Sequence, residues 1–298
     1  MSQIEPPQDR SLLARIFLSP DKPRLRAGWR LLLQILLYFV FLLVFGTLAA
    51  ILGLLDPSPA SVVNTLINTL AFTASVYVAR RWLDRESFES LGLNVDRHTL
   101  PDILAGIGIT VVQIGFIYFA MWTLGWLTFE GFAWEFDAAD AIVTGVLQFV
   151  VIFILAAWGE EILSRGYHLQ TIASGLNLFW GAVLSSAIFG LLHLSNPNAT
   201  WLGAAGIFLA GVMFCYAYLR TRQLWLPMGI HLGWNFFLGV VFGFPVSGLD
   251  VYTLTRIRVH GPELWTGGEF GPEAGLIIVP SLAVAALFIY IYTRNRLR

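Results

Sequence analysis

Eight apolar runs, near 31–54, 60–79, 101–127, 141–160, 177–194, 201–219, 224–243 and 274–293, govern what this chain can fold into. About 20 apolar residues cross a hydrocarbon core of about 30 Å as a helix. Of the 298 residues, 57% are apolar and only 12% charged, where a soluble domain carries about a quarter, so most of the surface must face something other than water. Backbone exposed to lipid must satisfy its own hydrogen bonds, and no run alternates as barrel strands do. The expected fold class is therefore all-α, a polytopic membrane bundle of about eight transmembrane helices.

The cations set its expected orientation. Fifteen of the 18 Lys and Arg residues fall in segments that would share one side: six in 1–30, four in 80–100, Arg220 and Arg222, and Arg294, Arg296 and Arg298. The other side has Arg256 and Arg258 with the acids Glu130, Glu135, Asp137 and Asp140. Both termini are expected to be cytoplasmic, in a plasma or inner membrane. The polar stretch 1–30 does not read as a cleaved signal peptide. The expected organisation is a cytoplasmic segment 1–30, three helices in 31–140, a core in 141–243, an extracytoplasmic loop 244–273, and a last helix with a basic tail in 274–298.

Composition removes several function classes. One cysteine, Cys215, allows neither an intrachain disulfide nor a cysteine zinc cluster. The only lysine is Lys22, so the apolar region has no P-loop lysine and no Ser-Lys dyad. A net charge of −1 supplies no field for nucleic acid, and none is expected as a partner.

Ionisable groups deep in a bilayer cost several kcal/mol, about 3 or more each, and mark functional sites by default. Here they cluster between residues 160 and 235: Glu160, Glu161 and Arg165 in AAWGEEILSRG, His193 in SAIFGLLHLSNP, and His231 with Asn235 in MGIHLGWNFF. Glu161 and Arg165 stand four apart and can pair on one helix, while Glu160 projects about 100° away. Phe189 with His193, and His231 with Asn235, share the same spacing. A turn near Ser174–Asn177 puts Glu160 and His193 about 24 Å along their helices, and His231 about 12 Å along its own. The depths agree if the hairpin projects about 10 Å into the cytoplasm. The spacing predicts one pocket in the cytoplasmic half. The plainer readings are a structural ion pair for Glu161 and Arg165, and packing for Phe189. His98, His168 and His260 read as surface or interface residues.

A carboxylate, two histidines and an amide in a partly dry pocket suit activation of water. Glu160 is the expected general base, with a histidine orienting the proton. His231 and Asn235 can supply N–H donors to an oxyanion. Peptide-bond hydrolysis fits that set. The sequence has no HExxH, no GxSG nucleophile and no aspartyl dyad in the central parts of the runs. Zinc held by Glu160, His193 and His231 is the second-ranked chemistry.

The ordered triple Glu160-Glu161-x-x-x-Arg165, Phe189-x-x-x-His193 and His231-x-x-x-Asn235 resembles the three motifs of the CPBP family, the Rce1-like CAAX proteases and bacteriocin-processing proteins. The resemblance covers about a third of the chain. It implies an eight-helix bundle, water activated by Glu160 and His193, an oxyanion site at His231 and Asn235, and support from Glu161 and Arg165. The resemblance does not fix the substrate; a membrane-associated or lipid-modified protein or peptide is expected, with no cofactor expected and zinc possible. A non-catalytic immunity or scaffold protein of the same fold, a zinc-dependent protease, and a proton-coupled carrier are the competing readings.

Overall fold

The computed structural model describes residues 11–58 and 60–296 and is a helical bundle. A short α1 (Leu12–Phe17) precedes α2 (Ala27–Ile51) and α3 (Val62–Val78), which continues as a π-turn to Leu83. Next come α4 (Thr99–Thr123), strand β1 (Leu127–Phe132) and α5 (Ala139–Glu161). A π-turn, Ile162–His168, joins α5 to α6 (Leu169–Gly175), and α7 (Leu178–Leu192) completes the hairpin. Then follow α8 (Trp201–Thr221), α9 (Trp225–Asn235), strand β2 (Thr255–Val259), the single turn α10 (Glu263–Thr266) and α11 (Ile278–Thr293). Side-chain caps fix four starts, where Ser11, Ser61, Asn177 and Thr200 accept the backbone N–H of Ala14, Asn64, Trp180 and Gly203.

Each expected run carries an apolar helix, and among the described residues six are long enough to cross a membrane by themselves. Trp225–Val241 and Ile278–Thr293 are shorter. The segment expected to be an external loop is in part interior. Phe244, Val246, Ser247, Phe270 and Glu273 are buried, so 244–273 partly folds back into the protein. Irregular backbone is tolerated at such depth where protein covers it. A second departure from an all-helix reading is the antiparallel pairing of β1 with β2, bulged between Phe129 and Gly131. Arg256 and Arg258, the two cations counted on the acidic side, pair there with Asp137 and Glu130.

Several of the other cations gather at the opposite end. Arg30 and Arg80 converge on the buried Asp84, Arg80 reaches Gln170, and Arg296 pairs with Asp102. Arg10 and Arg298 lie outside the described residues. His168, read as a surface or interface residue, lies at a helix interface: it is buried, with Nε2 against Gln34 Oε1 at 3.1 Å. Its Nε2 is partnered across the bundle by a side chain of α2, which spacing within one helix does not reveal, while Nδ1 has no hydrogen-bond partner.

Close backbone approach positions α9. Gly229 and Gly233 face α4, where a Cβ on Gly229 would stand 2.4 Å from the Ile103 carbonyl oxygen and one on Gly233 2.2 Å from Thr110 Oγ1. Small residues four apart let two helices pack at backbone distance, and His231 lies between them in sequence. Gly229→Ala is expected to cost about 1–3 kcal/mol through overpacking, read as a lower unfolding temperature in detergent. Gly108→Ala on α4, with nothing within 4 Å of its Cβ, is the matched control and should leave that temperature unchanged.

Candidate active site

Three helices bring the polar groups together. Glu160 and Glu161 end the α-helical part of α5, and the π-turn that follows them holds Arg165. His193 opens the single 3-10 turn closing α7, and His231 lies in the middle of α9. The α6–α7 turn falls at Leu176–Asn177, as the spacing predicts, and the arms measured from it are matched in length. Glu160, His193, His231 and Asn235 all line one cavity of about 550 Å³.

Glu161 is wholly buried and works inward. Its Oε1 accepts Arg165 Nη1 at 3.0 Å and His231 Nδ1 at 2.9 Å. Arg165 also donates to the Gly211 carbonyl at 3.2 Å and lies between the rings of Phe189 and Phe214, at 4.3 and 4.7 Å from their centroids. The His231 ring stacks on Phe214 with centroids 5.2 Å apart. Phe189 is therefore packing, as the plainer reading has it, but packing against a cation.

Glu160 works outward, with its side chain 28% exposed. Its Oε2 stands 4.0 Å from His193 Nε2 and 3.8 Å from His231 Nε2, and it has no direct hydrogen-bond partner. Both imidazoles have their tautomer set from behind. His193 Nδ1 faces the Phe189 carbonyl at 2.8 Å, and His231 Nδ1 faces Glu161. A carbonyl or carboxylate only accepts, so each Nδ1 carries the proton and each Nε2 turns toward Glu160. The gaps exceed a direct bond and are short enough for one water to touch the atoms on both sides.

A water there has two protons to give and three acceptors around it. Of the two site histidines, His231 is the one backed by a carboxylate, that of Glu161. Glu160 Oε2 stands farther from both Nε2 atoms than two ligands of one zinc ion stand from each other. Two ligands with bonds of 2.0–2.1 Å in tetrahedral geometry stand about 3.3 Å apart, and among the described residues no group of three or more His, Cys, Asp or Glu is arranged to hold a metal ion.

Three features escaped the sequence reading. Phe214 and Gly211 hold Arg165 from α8, and one Phe or Gly in an apolar helix carries no signal of that. Glu273 is a further buried carboxylate on the cavity wall, just before α11. It was readable only as an acid beside an apolar run. Much of the remaining wall is apolar, with Ile35 and Phe39 of α2, Phe72 of α3 and Phe149, Ile152 and Phe153 of α5.

Residues 142–237 match the family model described as type II CAAX prenyl endopeptidase Rce1-like. A Bacillus subtilis protein named "Putative membrane peptidase YdiL" is 29% identical over 120 residues, 40% of this chain and 47% of that protein. An Escherichia coli "Uncharacterized 24.3 kDa protein" is 31% identical over 143 residues, 46% of this chain and 64% of its own length. The chain thus spans about half to two thirds of these relatives. At the level of the family, the matches support a membrane protease.

Proposed function

Because residues 142–237 form an Rce1-like segment, we propose that this chain is an intramembrane endopeptidase using water activated by Glu160 between two histidines. The observation that carries the reading is the convergence of both Nε2 atoms on an unpartnered Glu160 oxygen, with each Nδ1 tied down. Glu160 Oε2 takes a proton from water as the water oxygen bonds to the scissile carbonyl carbon. His193 Nε2 accepts a hydrogen bond from the second O–H of the water and aims the lone pair.

The tetrahedral oxyanion receives Nε2–H of a protonated His231 and the amide N–H of Asn235. Glu161 holds the His231 ring and Arg165 holds Glu161. Glu160 then returns its proton to the amine nitrogen as the C–N bond breaks, leaving an amine and a carboxylic acid whose O–H, hydrogen-bonded to His193 Nε2 throughout, gives its proton to that nitrogen and so to solvent as the carboxylate forms. The apolar cavity wall suits a membrane-associated or lipid-modified protein or peptide segment. The Arg-rich end, with both termini, is proposed to face the cytoplasm.

The reading is tested by comparing membrane-protein terminal peptides from cells making equal amounts of wild type and Glu160→Ala. Peptides that require Glu160 are expected. Equal patterns would remove catalysis and favour a scaffold role. No step above uses a metal, so cleavage by the purified protein should persist after dialysis against a strong chelator. Loss on chelation, with recovery on adding zinc, would replace the Glu160 base with a metal-bound nucleophile.

A further inference from the structure

We infer that Glu273 is a positioning residue that sets the gap between the two site histidines by tying α7 and α9 to one carboxylate. The inference rests on the protease reading of the site. Glu273 lies outside the segment 142–237 matched by the family model. On one arm its Oε1 accepts Trp234 Nε1 at 2.9 Å, and Trp234 adjoins Asn235 and follows His231 by three residues on α9. On the other arm its Oε2 accepts the backbone N–H and the hydroxyl of Ser247. The Ser247 carbonyl in turn accepts Asn196 Nδ2 at 3.0 Å, and Asn196 caps the 3-10 turn that carries His193.

The post itself is fixed. A Cβ on Gly206 of α8 would fall 1.8 Å from the Glu273 carbonyl oxygen, so backbone meets backbone there. Both arms pull on a group that has no slack. The two rings face Glu160 from different helices, so nothing within either helix fixes their separation. The Glu273 carboxylate is hydrogen-bonded, directly or through Ser247, to residues beside both, while Phe189 touches the two rings only edge-on.

Chemistry makes this separable from packing. A carboxylate offers acceptors on both oxygens, whereas a glutamine of the same shape offers one acceptor and two N–H donors. Glu273→Gln therefore sets an N–H against either Trp234 Nε1–H or Ser247 N–H and breaks one arm at nearly constant volume. Trp234→Phe cuts only the α9 arm, and Asn196→Ala only the α7 arm.

The test uses full-length protein in lipid nanodiscs, labelled with 15N at its five histidines and read by NMR with no ligand added. His193→Gln and His231→Gln assign the two ring signals. Glu273→Gln is expected to shift the signal of the histidine whose arm it breaks, Trp234→Phe that of His231 alone, and Asn196→Ala that of His193 alone. Glu160-dependent cleavage should fall about 10²-fold in Glu273→Gln, the usual cost of an ångström of misplacement.

Both ring signals unmoved in Glu273→Gln, or all five histidines perturbed alike, would overturn the inference. If Glu273→Gln does not accumulate, the other two variants decide, and neither shifting its own histidine overturns it as well. The protease reading fails separately, through terminal peptides indifferent to Glu160→Ala, and leaves the ring signals to judge Glu273.

Discussion

Glu160→Gln is expected to lower cleavage by about 10²–10⁴-fold, the range for loss of a general acid–base group, while the protein accumulates and unfolds like wild type. The two halves of that expectation have one cause. Glu160 Oε2 has no direct partner, and the histidine nitrogens facing it stand 3.8 and 4.0 Å away. Neutralising it breaks no bond and spares a partly buried charge its desolvation cost. Glutamine keeps the shape and can still touch a water, but cannot take its proton. Glu160→Asp keeps the charge and withdraws it by about one C–C bond, and should retain more activity than glutamine. The measurement is the rate at which Glu160-dependent terminal peptides appear, normalised to protein amount, beside a thermal unfolding curve. A large fall in melting temperature for Glu160→Gln would mean that the side chain holds the fold and that its catalytic role had been misread.

The helical architecture was legible because lipid imposes it. A run of about 20 apolar residues has few alternatives to a spanning helix, and each of the eight runs carries an apolar helix. The site was legible for a related reason. An ionisable group is so costly in hydrocarbon that Glu160, His193 and His231 had to find one another, and i,i+4 spacing gave the faces. The partnership of Glu161 with Arg165 also followed from spacing. What spacing could not give was the partner on another helix.

His168 pairs with Gln34 of α2, and Glu273 with Trp234 and Ser247. Such contacts depend on how helices pack, and the sequence marks that only by small residues such as Gly229 and Gly233. The 244–273 segment was opaque for a different reason. Gly- and Pro-rich sequence reads as loop whether it faces water or folds back into the protein, and burial alone tells these apart.

Arg165→Met is expected to cost about 3–5 kcal/mol of stability, the penalty for breaking a buried ion pair from one side. The side chain is 1% exposed and its partner Glu161 is wholly buried. Removing the guanidinium leaves Glu161 with His231 as its sole donor, because Glu161 Oε2 has no partner even in the intact protein. It also empties the slot between Phe189 and Phe214. Arg165→Lys should fall between, since a point charge can reach Glu161 but cannot also serve the Gly211 carbonyl and lie flat between two rings.

Pairing Glu161→Gln with Arg165→Met removes both charges. The pair should regain most of the lost stability, so the two substitutions are strongly non-additive. Cleavage should not return with it, because an amide holds the His231 ring without stabilising its positive charge. Unfolding temperatures of the four proteins in one detergent, read beside cleavage rates, separate the two roles. Recovery of both stability and cleavage in the double variant would reduce Glu161 and Arg165 to the structural ion pair of the plainer reading. Recovery of stability alone would leave them as the support on which the His231 charge depends.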